Sequence, residues 1–207
     1  YSRPYSEIPF IGGAIGYCSY EMDEKKIDNC NLPKISMGIY DWALIVDHFL
    51  QEAYLVTTNV DEETKKNWSK YIKLLSTSTS DKSQKFIVKS EIEDNSNFED
   101  YRNKFKLVMD YLKEGDCYQI NLSKQYKVLV EGDSWQFYKI FRNSNISRYM
   151  AYLDFTDFEI LSGSPERFIQ VRGNEVNTRP IKGTIGRDKN HDRDKKNALA
   201  LKESVKD

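Results

Sequence analysis

Cysteine and histidine are scarce: the 207 residues hold 3 Cys and 2 His. Cys18, Cys30 and Cys117 show no CxxC spacing, and their number is odd. A disulfide framework and a zinc site are therefore both poor readings, and a reducing cytoplasm suits the chain. No apolar run approaches the roughly 18 residues of a membrane span, and no charged-then-apolar leader opens the sequence, so neither membrane nor secretion is expected. An excess of either charge sign is also missing: Lys+Arg 31 against Asp+Glu 32 leaves −1. Basic residues are dispersed except near 187–196, and nucleic acid is an unsuitable partner. What is present, 39% hydrophobic and 30% charged residues, matches a chain that buries a core without covalent staples.

Tyr1 stands where an initiator Met would, and a helix-like pattern runs into Asp207 without a capping Gly or Pro. Both ends read as cuts. The segment FIGGAIGYCSY, 10–20, mixes apolar residues with glycines, as a strand closely approaching another backbone would. A phosphate loop would need a Lys-Ser/Thr after Gly16, and none follows. Strand formers fill 38–49, a second run covers Ala53 to Thr58, and a turn at Gln51-Glu52 makes them a hairpin. Asp61 is a cap for a helix whose Trp68, Tyr71, Ile72 and Leu75 recur at helical spacing. Residues 76–85, STSTSDKSQK, have no apolar anchor and divide the chain into regions 1–85 and 86–207.

In the second region, Ser96 and Glu99 fit a capping box for a helix carrying Phe98, Tyr101, Phe105, Val108 and Leu112 on one face, closed by Gly115. Tyr118, Ile120 and Leu122 then alternate with Cys117, Gln119, Asn121 and Ser123, predicting a strand. Its second face is polar but uncharged; it is either a solvated sheet face or the wall of a pocket. Ser134 opens a short helix with Trp135, Tyr138 and Phe141 inward. Strands are predicted at Tyr149 to Phe155, Glu159 to Ser162, Arg167 to Val171 and Glu175 to Arg179, the last two joined through Arg172, Gly173 and Asn174. A charged tail from Gly186 to Asn197 leads to a last helix bearing Ala198, Leu201 and Val205.

Two stretches place titratable groups beside Pro or Gly at strand ends: Ser162 to Phe168 (SGSPERF) and Thr178 to Thr184 (TRPIKGT). Glu166, if withheld from water, has a raised pKa and donates a proton; its plainer role is an ion pair with Arg167. Lys182, between Ile181 and Gly183, becomes a nucleophile if desolvated; its plainer role is a solvated loop lysine.

GDCYQINLS at 115–123, SPERF at 164–168 and TRPIKGT at 178–184 together resemble the chorismate-binding enzymes, a family that includes anthranilate, aminodeoxychorismate, isochorismate and salicylate synthases. GIYDWALIVDH at 38–48 extends the resemblance over the whole chain. It implies an α+β fold, an antiparallel β-sandwich with flanking helices, of which this chain is the first part. Water-adding members carry a Lys at the position of Gln119, so the resemblance is to members using ammonia. Anthranilate-forming members read PIAGT where this chain has Pro180 to Thr184, and Lys182 is the mark of the aminodeoxychorismate members. The anthranilate-forming members' tryptophan motif NPSPYM corresponds to Asn145 to Met150 (NISRYM), which lacks both prolines.

The resemblance implies that Lys182 attacks chorismate, that Glu166 is the general acid, and that Gln119, Gly183 and Thr184 bind substrate. The product, 4-amino-4-deoxychorismate, leads to 4-aminobenzoate and folate. Ammonia from a glutamine amidotransferase subunit is implied, as is Mg2+ held by ligands outside this chain, so that the chain alone is inactive. An anthranilate-forming enzyme and a non-catalytic association module are the rival readings. Exposed sheet edges predict self-association.

Overall fold

The computed structural model describes residues 8–20, 22, 32–77 and 84–204. They fall into two compact units divided between Lys82 and Ser83. Cys30 and Val205, and most of the polar stretch 76–85, lie outside the described residues.

In the first unit, β1 (Gly13–Cys18) pairs antiparallel with β2 (Ile35–Tyr40), from Gly13↔Tyr40 to Cys18↔Ile35. The close approach expected of the glycine-rich segment is present. A Cβ on Gly16 would run into the Ser36 carbonyl and the Met37 backbone. Strand β3 (Trp42–Asp47) forms a hairpin with β4 (Glu52–Thr57). The reversal falls earlier than Gln51-Glu52: Asp47 Oδ1 accepts the amides of Phe49 and Leu50 at 3.0 Å each, and Gln51 is left-handed at φ 57°.

The run 38–49 is also two strands, not one, because Asp41 breaks it and the chain changes ladder there. The Asp41 carboxylate accepts from the Thr57 and Thr58 hydroxyls and from the amides of Val60 (3.2 Å) and Asp61 (3.3 Å). It thereby ties the end of β4 to the start of α1 (Glu62–Ser76), which Asp61 caps as expected by accepting from Glu63 N at 3.1 Å. Within the helical stripe, Tyr71 stacks on Trp42 with centroids 4.7 Å apart. Ile72 and Leu75, at 48% and 46% exposure, are not covered, so the stripe packs along only part of its length.

The second unit begins with β5 (Ile87–Val88) and β6 (Glu93–Asp94), followed by α2 (Phe98–Glu114), β7 (Tyr126–Lys127) and β8 (Val130–Glu131). Strand β5 pairs with β8 and β6 with β7. The α2 cap is Asn97, whose side chain accepts from Asp100 N at 2.9 Å, and not Ser96. Ser96 is engaged in the turn leaving β6, its amide donating to Asp94 Oδ1. Gly115 closes the helix at φ 82°, and its amide donates to the Tyr111 carbonyl, as a left-handed cap requires.

The predicted strand over 117–123 is absent; that segment is irregular up to β7. Alternation makes a segment able to be a strand, but a ladder also needs a partner, and pairing here begins only where Tyr126 meets Asp94.

Helix α3 (Ser134–Ser144) is capped by Asp133 and turns Tyr138 inward to 6% exposure. Trp135 and Tyr138 pack with Tyr152 of β9 (Tyr149–Asp154), which pairs with β10 (Glu159–Ser164). A Cβ on Gly163 would meet the Phe141 ring, so α3 packs tightly on this hairpin. Strands β11 (Arg167–Arg172) and β12 (Glu175–Arg179) form the last hairpin, with a bulge between Arg167 and Gln170 and a turn through Gly173 at φ 57°. Helix α4 (His191–Lys202) starts inside the charged stretch expected to precede it. Asn190 takes the amides of Asp192 and Arg193, and the acidic Asp192 and Asp194 suit the positive end of the helix dipole.

The architecture is α+β, and every pairing among the described residues is antiparallel and two-stranded. A sandwich is not assembled among them. Large apolar side chains on strands and helices stay open, including Ile39 at 82% and Phe98 at 77% exposure. No helix among the described residues is long and apolar enough to cross a membrane.

Two substitutions test this account of the first unit. Gly16→Val inserts atoms where two backbones touch and should destabilise the unit by about 1–3 kcal/mol in urea unfolding; an unchanged midpoint would contradict the close approach. Desolvation alone would raise the Asp41 pKa, but the amides of Val60 and Asp61 and the hydroxyls of Thr57 and Thr64 outweigh it and hold the group below its ordinary 3.8. A depressed folded-state pKa adds stability above the unfolded value and loses it as pH falls through the folded value. Asp41→Asn should therefore melt below the parent at pH 7, and the gap should close as pH drops beneath 3.8; a gap independent of pH would refute this.

Candidate functional site

Glu166 lies in the tight connection from β10 to β11. Pro165 fixes the backbone before it. The Ser164 hydroxyl donates to the Glu166 carbonyl at 3.1 Å and accepts the Glu166 amide at 3.4 Å. A small side chain thus holds the Glu166 backbone from both directions. The carboxylate is exposed and forms no ion pair among the described residues, so the pairing with Arg167 is not made. Arg167 turns instead to Gln170 Oε1 (2.6 Å) and Asn177 Oδ1 (2.7 Å), bracing β11 against β12. Its Nε is buried without a hydrogen-bond partner. Thr178 adds a second brace by donating to the Phe168 carbonyl at 2.7 Å.

These braces matter because the register pairs Arg167 with Arg179. Glu166 precedes one partner and Pro180 follows the other, so both candidate stretches leave the same end of one hairpin. Lys182 lies three residues beyond Arg179, within about 10 Å of it along an extended chain. Lys182 and Thr184 are exposed, and Gly183 is half-buried. Ile181, expected to desolvate the lysine, is itself 49% exposed. Among the described residues no element covers 180–185, and the desolvated setting expected for Lys182 is not supplied by them.

Gln119 lies in the irregular segment between α2 and β7 and is exposed. Both ends of that segment are fixed. Gly115 caps α2 on one side. On the other, the Asn95 amide donates to the Gln125 carbonyl at 3.2 Å, and the Gln125 amide donates to Asn95 Oδ1 at 3.4 Å. Beside them Lys124 Nζ stands 2.5 Å from Asp94 Oδ2, and 5.3 Å and 6.0 Å from the ring centroids of Tyr126 and Tyr101. The hydrogen bond between them lowers the Asp94 pKa and raises that of Lys124.

The hairpin thus brings together Glu166 and the Lys182 loop, while Gln119 stands on a separately anchored segment. Neither Ser164 nor the braces from Arg167, Thr178, Asp94 and Lys124 stand out in the sequence; polar residues flanking a motif on paired strands are the available signal. A hollow of about 380 Å³ lined by Ile8, Pro9, Asp47, His48 and Tyr54, among others, holds none of the candidate residues. Among the described residues no three His, Cys, Asp or Glu side chains converge to hold a metal. The donors present among the described residues do not fit a resident magnesium ion.

The family model for "chorismate binding enzyme" matches residues 2–207. Aminodeoxychorismate synthase component 1 of Escherichia coli strain K12 is 36% identical over 208 residues, which are 97% of this chain and 44% of that protein. Its Klebsiella aerogenes counterpart is 34% identical over 99% of this chain and 46% of its own length. Anthranilate synthase component 1 of Lactococcus lactis is 27% identical over 86% of this chain and 42% of its own length. In fold, the chain is similar to the crystal structure of anthranilate synthase component I from Streptococcus pneumoniae, with a TM-score of 0.77 at 23% identity, covering 100% of this chain and 48% of that one. The chain spans about half the length of the curated relatives it matches. With its three motifs in order on one hairpin and one anchored segment, and the family match running from residue 2 to residue 207, the chain belongs to the chorismate-binding enzymes.

Proposed function

We propose that the protein containing this chain aminates chorismate with ammonia to 4-amino-4-deoxychorismate. The observation that carries this reading is Lys182, at the position where anthranilate-forming relatives are expected to have alanine, on a loop leaving the same hairpin end as Glu166. The 34–36% identity to the enterobacterial proteins named aminodeoxychorismate synthase component 1, against 27% for an anthranilate synthase, supports the same choice, although a Bacillus subtilis protein of the former name is 28% identical.

In the proposed route the neutral Lys182 amine forms a bond to ring C2. Both ring double bonds shift, C1=C2 to C1=C6 and C5=C6 to C4=C5, and the C4–O bond breaks with its electron pair. Glu166 gives its proton to the departing oxygen, which leaves as water, and the resulting carboxylate recovers a proton from the new C2 ammonium. Ammonia then bonds to C4, both double bonds shift back, and the C2–N bond breaks, returning its pair to Lys182. A proton passes from the C4 ammonium to the departing Lys182 nitrogen, and the net change is chorismate plus ammonia to product plus water. Splitting one hard displacement into two is covalent catalysis. Gln119 presents a neutral donor and acceptor, which orients substrate without activating water, and Gly183 with Thr184 lies against it.

The 180–185 loop is open among the described residues, so in this proposal other parts of the full-length protein cover it and close the two-stranded ladders into the family's antiparallel sandwich. A Mg2+ ion, if one is bound, would be held by ligands outside this chain and would neutralise substrate carboxylates. Ammonia arrives from a glutamine amidotransferase partner, and the whole assembly works in the cytoplasm.

Assayed in its natural reading frame with chorismate and ammonia, the protein should give a product that needs a lyase to yield 4-aminobenzoate; direct anthranilate fluorescence would establish the anthranilate-forming alternative. Lys182→Ala should abolish turnover, and retained turnover would remove the covalent route. Glu166→Gln should lower kcat by about 10²-fold or more, the range for a lost general acid. Titration calorimetry showing glutaminase binding without any chorismate binding would instead mark a non-catalytic association module.

A further inference from the structure

The loop carrying Lys182 has a second fixed end. At its start, Arg179 is paired to Arg167 in the last hairpin, and Pro180 restricts the next step. No hydrogen bond among the described residues holds 180–185 in between. At its far end three consecutive residues attach to α4. The Gly186 carbonyl accepts from Asn197 Nδ2 at 2.8 Å. Arg187 donates from Nε to Asp194 Oδ1 at 2.8 Å and from Nη2 to Oδ2 at 2.7 Å. The Asp188 amide donates to the same Asp194 Oδ1 at 3.1 Å.

An exposed ion pair on its own contributes little, but this one has features that surface pairs lack. The contact is two-pronged, which fixes the guanidinium plane as well as its distance. The Asp194 side chain is 18% exposed although Arg187 is 89% exposed, so the acceptor is the constrained member. It also takes a backbone amide, which ties the main chain of the loop to the first turn of α4. Asp188 in turn accepts the Asn190 amide at 2.8 Å, and Asn190 caps that helix. The hydrogen bond to Arg187 holds the Asp194 carboxyl below its ordinary range and raises Arg187, so both charges persist at neutral pH.

We infer that Asp194, through Arg187 and the Asp188 amide, is a positioning residue: it fixes the far end of the 180–185 loop on α4 and so sets where the Lys182 amine stands relative to Glu166. The inference rests on the chemistry proposed for Lys182. A nucleophile displaced by about 1 Å can lose about 10²-fold in rate while substrate binding is kept. With the clamp intact, six residues span two fixed ends; with it released, the far end keeps only the Asn197 hydrogen bond to the Gly186 carbonyl.

The test is Asp194→Asn in the protein's natural reading frame, with Arg187→Lys as a second variant that leaves α4 unchanged should the first fail to fold. Lysine keeps the charge but loses the fork. The expected result is a kcat lowered by about 10- to 100-fold with KM for chorismate changed less than about threefold, together with faster exchange of the Asp188 amide, which Asp194 accepts. A loss expressed only in KM, or unchanged kcat and unchanged exchange in a folded variant, would overturn the inference. Retained turnover in Lys182→Ala would instead defeat the proposed chemistry, and the exchange rates would still decide whether Asp194 holds the loop.

Discussion

The pairing of Arg167 with Arg179 is the constraint on which the candidate site depends. An antiparallel hairpin brings the residue before one strand and the residue after the other to a common end, whatever their separation in sequence. Here that end carries Glu166 on one side and the Lys182 loop on the other. The Arg167 fork onto Gln170 and Asn177 and the Thr178 hydroxyl onto the Phe168 carbonyl hold the two strands in that register despite the bulge between Arg167 and Gln170. A one-residue slip would turn every side chain of one strand to the other face and dissolve the arrangement.

The remaining tethers act one level out from the chemistry. Ser164 holds the Glu166 backbone, the Asp94–Lys124 contact holds the end of the Gln119 segment, and Asp194 holds the end of the Lys182 loop. Each candidate residue stands on irregular backbone whose neighbours are fixed by hydrogen bonds to a strand or a helix. Loops on a rigid support suit groups that must approach a substrate. The candidate side chains are nonetheless exposed, in keeping with a chain that spans about half of its curated relatives and leaves broad apolar faces open.

Much of this organisation was legible in the residues. Helical spacing marks α1, α2 and α3, because three- and four-residue periodicity reports a face independently of its partner; of the three residues expected inward on α3, Tyr138 is buried while Trp135 stays 40% exposed. The four strands between Tyr149 and Arg179 were legible because Gly, Asn and Pro mark their ends. The segment 117–123 was read as a strand because alternation shows which residues can share a face, not whether another strand is there to pair. Asp41 was unreadable for a related reason: it breaks a strand-forming run to satisfy amides at Val60 and Asp61, a demand created by the fold. The tethers around the site join residues 30, 10 and 7 positions apart, and single-sequence spacing carries no signal for such pairs. Family membership was carried by the three motifs, whereas the open setting of Lys182 became visible only in three dimensions.

The central claim is that the Lys182 nitrogen bonds to the chorismate ring. Its most direct test is peptide mass spectrometry of the protein, in its natural reading frame, quenched after mixing with chorismate in the absence of ammonia and glutamine. The account predicts a chorismate-derived adduct, formed with loss of water, on the peptide containing Lys182 and released when ammonia is added. An unmodified Lys182 peptide under conditions where added ammonia restores turnover would contradict it.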